Sequence, residues 1–231
     1  MDLGRLELLI KDKIELLKNS KILVIGLGGV GSYAVEVLTR CGVGTLKIVD
    51  FDIIDKTNLN RQLMTNEKNI GLKKIDVMYD RIKSINSKCN VIKIDKKLTE
   101  DDIETLVKDV DAVIDAVDDI KVKKQIIRVC HNKKINLISS MGMGNKLDPT
   151  KIQILEISKT SYDPLSKIIR KMVKEERIKG KVMVVASSEK PIKTNSNVIG
   201  SICYVPAISG MLCASFIINK IIGDVCEKWN N

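Results

Sequence analysis

Residues 26–31 read Gly26-Leu27-Gly28-Gly29-Val30-Gly31, set between a short β-branched run at 22–25 and an apolar pattern of helical spacing at 30–41. A G-x-G-x-x-G turn in that position constrains the fold more than anything else in the chain. Without Cβ atoms the backbone can approach phosphate oxygens, and the helix that follows offers unpaired N–H groups and a positive dipole end to negative charge. The segment therefore predicts strand, turn and helix around a nucleotide.

The same alternation continues. Further strands are predicted at 45–49, 91–94, 112–114 and 135–138. Helices are predicted through Ile70, Ile75, Met78, Ile82 and Ile85, and again over 120–130. Strands at 152–157 and 182–185 follow, joined by a lysine-rich helix at about 164–177, and Leu6, Leu9, Ile10, Ile14 and Leu17 mark an amphipathic opening helix. This is an α/β pattern: a Rossmann-like, mostly parallel sheet with helices on both faces. The length of 231 residues suits a single domain over 1–231, with a nucleotide-binding part at about 20–140 and a remainder at about 141–231.

Composition narrows the classes. With 44% hydrophobic and 29% charged residues the chain has a core to build and is not globally disordered. A net charge of +10 points to a polyanionic partner. The charge-free stretch 198–219 is interrupted by Gly200, Pro206 and Gly210 and reads as buried strand, turn and helix rather than as a membrane span. The first twenty residues lack the apolar core of a signal peptide, so a cytoplasmic location is expected. Six cysteines form no C-x-x-C pair, so reduced, mostly buried thiols are expected and zinc is not.

The chemistry is sought in the connection 51–69, long for a compact domain, and at the strand ends. Asp50 closes the second strand, where an acid accepts hydrogen bonds from ribose hydroxyls. A nicotinamide dehydrogenase would be the default for such a site, but the single histidine, His131, reads as structural or solvated and no other proton relay stands out. Instead Asn58-Leu59-Asn60-Arg61-Gln62 and Lys74 bring two cations toward the phosphates, since a helical lysine leans toward the N-terminal end. The strand 111–115 ends in Ala116-Val117-Asp118-Asp119; Asp118 is placed to hold magnesium beside substrate phosphates, and Asp119 alternatively caps the next helix.

The set Gly26 to Ser32, Asp50-Phe51-Asp52, Asn58 to Gln62, Lys74 and Asp115-Ala116-Val117-Asp118 resembles the ubiquitin-activating-enzyme-like (ThiF/MoeB/HesA) adenylyltransferases. The resemblance implies a homodimer that binds ATP and Mg2+ and turns a substrate carboxylate into an acyl adenylate. It assigns nucleotide binding to Gly26, Gly28, Gly29 and Gly31, to Asp50 at the ribose, to Asp52, to Asn58, Arg61 and Lys74 at the triphosphate, and to Gln62. Arg61, Lys74 and Asp118 become the catalytic set, Asp118 being also the metal ligand, and Arg5 reaches the partner's ATP. Residues 141–231 become the substrate and dimer part.

The second half, Gly142-Met143-Gly144-Asn145-Lys146-Leu147-Asp148-Pro149-Thr150, Ile152-Gln153-Ile154 and Lys159-Thr160-Ser161-Tyr162-Asp163-Pro164-Leu165, resembles the tRNA threonylcarbamoyladenosine dehydratase branch of that family. There the modified base's carboxylate is adenylated and closes into a ring with net loss of water. Ring closure needs no transfer cysteine, because the attacking atom lies on the same base and well-oriented intramolecular reactions reach effective molarities of about 10⁵ M or more. The resemblance makes tRNA the partner and leaves open sulfur-transfer partner proteins and a bound monovalent cation; the charge run Lys167, Arg170, Lys171, Lys174, Arg177, Lys179 and Lys181 is the candidate surface for the tRNA backbone. The alternative within the family is activation of the C-terminal glycine of a ubiquitin-like sulfur carrier; outside it, a nicotinamide oxidoreductase or a plain nucleotide-binding module.

Overall fold

Short runs of Val, Ile and Leu with buried side chains on both faces make the centre of a seven-stranded sheet, because strands covered by helices on either side have no polar face to present. The computed structural model describes residues 1–196 and 198–223. In chain order it contains α1 (Gly4–Ile10), α2 (Ile14–Asn19), β1 (Lys21–Ile25), α3 (Gly31–Arg40), β2 (Thr45–Val49), α4 (Lys74–Ile85), β3 (Asn90–Ile94), α5 (Ile103–Leu106), β4 (Ala112–Asp115), α6 (Ile120–Asn132), β5 (Asn136–Ser140), β6 (Ile152–Glu156), α7 (Pro164–Glu175), β7 (Met183–Ser187) and α8 (Tyr204–Ile221). The sheet order is β3-β2-β1-β4-β5-β7-β6, and every neighbouring pair is parallel except β6 with β7.

One face of the sheet packs against α3, α4 and α8 around Val24, Leu38, Met78 and Ile217. The other face carries α5 and α6 around Leu23, Val113 and Ile126, and α7 around Ile169 and Val184. α8 is long and apolar enough to cross a membrane, but half of it is buried here, and Gly210 lies so close to α3 that a Cβ would stand 2.2 Å from the Val30 carbonyl oxygen. Register does the positioning. Ile25 pairs with Val49 on one side and Asp115 on the other, so Gly26, Asp50 and Ala116 leave the sheet at one level. The chain reverses direction between β1 and β4, the place where open α/β sheets bind ligands.

Three expectations are corrected, and one helix is added. The opening helix is not continuous: a 3-10 turn at Lys11–Lys13, with Lys11 at φ +52°, separates α1 from α2 and resets the apolar stripe, leaving Leu8 and Leu9 exposed while Ile14 and Leu17 are buried. Ile70 is not part of the helix to which its spacing assigned it. The backbone of Gly71 and Leu72 is engaged with Ile54, Gly71 sits at φ +87°, and α4 starts only at Lys74. No strand forms at the start of the charge-free segment; Val198 and Ile199 are exposed in a loop leading to α8. Finally, α5 was not foreseen, since a single turn is too short for periodicity to register.

Candidate active site

A cavity of about 780 Å³ opens over the carboxyl ends of β1, β2 and β4, within the size range of small-molecule sites. Its floor is the glycine turn. Gly26 sits at φ +88° with the Ala116 carbonyl where its Cβ would be, and Gly31 passes so close to Gly26 that a Cβ would lie 1.7 Å from the Gly26 carbonyl oxygen. Gly28 faces open space. Gly26, Gly28 and Gly29 line the cavity, whereas Gly31, expected among the nucleotide contacts, is absent from the lining because its place is taken up in packing the turn against itself.

Asp50 is buried at the wall and accepts hydrogen bonds from the backbone N–H groups of Leu27, at 2.6 Å, and Asp52, at 2.8 Å. Burial pushes its carboxyl above the ordinary range, against the downward pull of those two donors. The connection 51–69 is a structured wall. Asp55 and Asn58 cap a 3-10 turn reciprocally, Asn66 and Asn69 do the same for the next, and the Leu63 N–H donates to Ser32 Oγ at 3.2 Å, fastening the loop to α3. Arg61 is thereby set over Gly29, its guanidinium donating to the Thr57 carbonyl at 2.8 Å and to Asn60 Oδ1 at 2.9 Å. Gln62 is buried beside it, with an Oε1 that has no partner among the described residues.

Lys74 is the first residue of α4 and only 5% exposed, with Nζ donating to Asp52 Oδ2 at 2.6 Å. On the opposite side Asp118 lines the cavity, and Asp119 does cap α6, accepting from the Lys121 N–H at 2.8 Å and the Val122 N–H at 3.1 Å. The structure thus brings Gly26, Gly28, Gly29, Asp50, Asp52, Asn58, Arg61, Gln62, Lys74 and Asp118 around one space. Arg5 is exposed on α1 and not among the lining residues of its own chain. His131 lies at the end of α6, its ring against the Lys179 carbonyl, and takes no part in the cavity. Among the described cysteines Cys89, Cys130 and Cys213 are buried, Cys41 and Cys203 half-buried, and all are unpaired; burial raises the Cys130 thiol to about 12. Cys226 lies outside the described residues.

Several wall residues had escaped sequence reasoning. Lys96, Lys97 and Leu98 come one residue after the end of β3, so their place at a carboxyl edge was readable from the strand pattern. Lys96 pairs with Asp102 at 2.5 Å, holding that carboxyl down to about 2, and Lys97 lies 5.6 Å from the ring centre of Phe51. Met143 and Gly144 belong to the motif that marks the dehydratase branch but carried no site role, and Ile199 and Ser201, from a distant loop, gave no signal. The largest omission is Lys123. It is fully buried on α6, with Nζ donating to Asp115 Oδ2 at 2.8 Å, Ser139 Oγ at 3.1 Å and the Ser140 carbonyl at 3.0 Å. Ser139 donates to the same Asp115 oxygen at 2.5 Å, and Asp115 Oδ1 accepts the Val117 N–H at 3.2 Å, one residue before Asp118.

Fold and site together define a nucleotide-binding α/β protein with cationic and acidic walls facing one another. The ThiF family matches residues 3–231, and the chain belongs to that family. It is 40% identical over 233 residues to tRNA threonylcarbamoyladenosine dehydratase of Bacillus subtilis (strain 168), covering 93% of this chain and 92% of that one. It is 35% identical over 202 residues to the protein of the same name from Escherichia coli (strain K12), covering 87% and 74%. Among solved structures, E. coli tRNA N6-threonylcarbamoyladenosine dehydratase, TcdA, in complex with ATP superposes with a TM-score of 0.89 at 33% identity, covering 95% of this chain and 93% of that one.

Proposed function

We propose that this protein is an ATP-dependent tRNA threonylcarbamoyladenosine dehydratase. The observation that carries the reading is the cavity itself, in which a glycine turn, Arg61 and Lys74 face Asp118 while no cysteine or histidine stands among the described lining residues. That is a site for activating an acid without passing it to a protein thiol. The substrate carboxylate, ionised near neutral pH, needs no general base. Its oxygen bonds to the α-phosphorus of ATP as the bond to pyrophosphate breaks, and Arg61 and Lys74 stabilise the charge moving to pyrophosphate; losing one such donor typically costs on the order of 100- to 1000-fold in rate. An atom of the same modified base then attacks the activated carbonyl. AMP departs with the carboxylate oxygen, a proton is lost, and the sum is loss of one water.

The roles follow the geometry. Gly28 leaves room for phosphate, and Asp50, with its oxygens already turned to the turn and the loop, is placed to accept ribose hydroxyls. Lys74 exchanges Asp52 for a phosphate oxygen. Magnesium fits as an ion carried by ATP: no group of three or more candidate ligands exists among the described residues, but the Asp118 carboxylate lines the cavity, and magnesium commonly binds through one or two carboxylates plus phosphates and water. When bound it supplies charge neutralisation at the phosphates. The working form is a homodimer, supported by the exposed Leu8 and Leu9 on α1 beside Arg5, which extends to the partner's nucleotide.

Exchange of labelled pyrophosphate into ATP tests the reading. Exchange that appears only with tRNA bearing threonylcarbamoyladenosine supports it. Exchange that requires a small protein ending in Gly-Gly replaces it with the sulfur-carrier alternative, and nucleotide binding without exchange under any acceptor refutes adenylation.

A further inference from the structure

We propose that the paired helices α6 and α7 form the ramp along which the stem of the RNA substrate lies, its phosphates held by the cations those helices turn outward. The proposal rests on the reading that the substrate is a modified tRNA base.

Both helices begin at the cavity. Asp119, which caps α6, stands in its wall, and Asp163, which caps α7, also accepts the Gly142 N–H at 3.3 Å, next to the lining residues Met143 and Gly144. Both then run back along the sheet side by side. Ile127 of α6 is buried against Ile169 and Met172 of α7, and the Arg128 guanidinium donates to both carboxylate oxygens of Glu176, at 2.8 and 2.7 Å. The pair therefore leads from the cavity mouth to the opposite edge of the sheet, over about 18 Å for the twelve residues of α7.

The outer surface of this pair is basic. Lys167, Lys171 and Lys174 are exposed at i, i+4 and i+7, one face of α7, at intervals of about 6 and 5 Å along its axis. α6 contains no acid, and Lys121 is exposed in its first turn. Beyond the helices the stripe continues into Arg177 and Lys179, the latter fixed through its carbonyl to the His131 ring. One member of the basic run is withdrawn: Arg170 donates to the Thr160 carbonyl at 2.6 Å and to Thr160 Oγ1 at 2.7 Å, so it braces the fold and is not a phosphate contact. Lys171 pairs with Glu175 at 3.6 Å, but that pair is exposed and worth little against a phosphate. Lys167, Lys171 and Lys174 thus offer a polyanion one continuous face, and double-stranded RNA is read mainly by such shape and backbone contacts.

The test compares two triple variants in the full-length protein. With Lys167→Gln, Lys171→Gln and Lys174→Gln, the slope of log affinity for modified tRNA against log salt should fall by about 2 to 3, at 0.7 to 0.9 for each lost phosphate contact. KM for tRNA should rise with kcat at saturation, ATP binding and melting temperature unchanged. The charge-matched set Lys18→Gln on α2, Arg40→Gln at the end of α3 and Lys88→Gln after α4 should leave the slope as in the wild type. An unchanged slope in the first triple, or an equal loss in the second, overturns the ramp while leaving the enzyme reading intact. Wild-type protein that shows no pyrophosphate exchange with modified tRNA overturns the enzyme reading itself.

Discussion

Lys74 and Lys123 are both withdrawn from solvent and both face a carboxylate, yet they do different work. Lys74 closes one wall of the cavity and its partner, the Asp52 side chain, is 46% exposed. Lys123 and Asp115 are both at 0% and are enclosed further by Ser139 and the Ser140 carbonyl. An ion pair with one wet partner can separate when phosphate arrives, because the released carboxylate returns to water. A sealed pair cannot, because either ion alone would be stranded where charge costs several kcal/mol. The first is suited to chemistry and the second to holding the Ala116-Val117-Asp118 segment that Asp115 grips through the Val117 N–H. Gly28 and Gly31 repeat the contrast, one facing open space and the other pressed on a carbonyl.

The contrast breaks most visibly in activity. Arg61→Ala, Lys74→Ala or Asp118→Ala should each reduce pyrophosphate exchange by on the order of 100-fold or more with the melting temperature little changed; near-wild-type exchange in these variants would remove the assigned roles. Next in size comes the sealed pair. Lys123→Met should lower unfolding free energy by about 3–5 kcal/mol, read from urea midpoints, whereas Lys74→Met should cost about 1 kcal/mol or less because Asp52 is half solvated. Lys123→Met combined with Asp115→Leu should recover most of the loss, and a double variant as unstable as the single would show that the pair is not the source.

The glycines sharpen the same distinction. Gly31→Ala should destabilise by about 1–3 kcal/mol through overpacking, while Gly28→Ala should leave the melting temperature unchanged and weaken ATP binding in calorimetry. The smallest effect is on pH. Burial raises Asp50, so the folded chain holds that proton more tightly than the unfolded chain. The ionised carboxylate therefore costs stability above its raised pKa, and this cost is absent below the unfolded value near 4. Ribose hydroxyls donating to Asp50 would favour its ionised form, so ATP should bind more tightly as pH rises through the carboxylate range, and Asp50→Asn should flatten that dependence.

Most of the parallel sheet was legible because buried strands write themselves as short β-branched runs; 45–49 coincides with β2 residue for residue. The cavity was legible where local sequence and position coincide, as with the glycine turn, Asp50 at a strand end and Asp118 after β4. What stayed hidden depends on tertiary contact. Lys123 sits one helical turn past a cap and reads as any surface lysine until Asp115 and Ser139 are seen around it. Gly31 could not be separated from its neighbours because the motif marks close approach without saying whether phosphate or backbone is approached. The interruption at Lys11 and the exposed loop at 198–199 depend on backbone geometry that hydrophobic spacing does not report.

The central claim is that this cavity activates a carboxylate of a tRNA base by adenylation so that the base can close on itself. It is tested most directly by incubating tRNA bearing threonylcarbamoyladenosine with the protein, ATP and magnesium, then digesting to nucleosides and measuring their masses alongside AMP. The account predicts a nucleoside lighter by one water and one AMP formed per nucleoside converted. A nucleoside of unchanged mass with no AMP produced would contradict it.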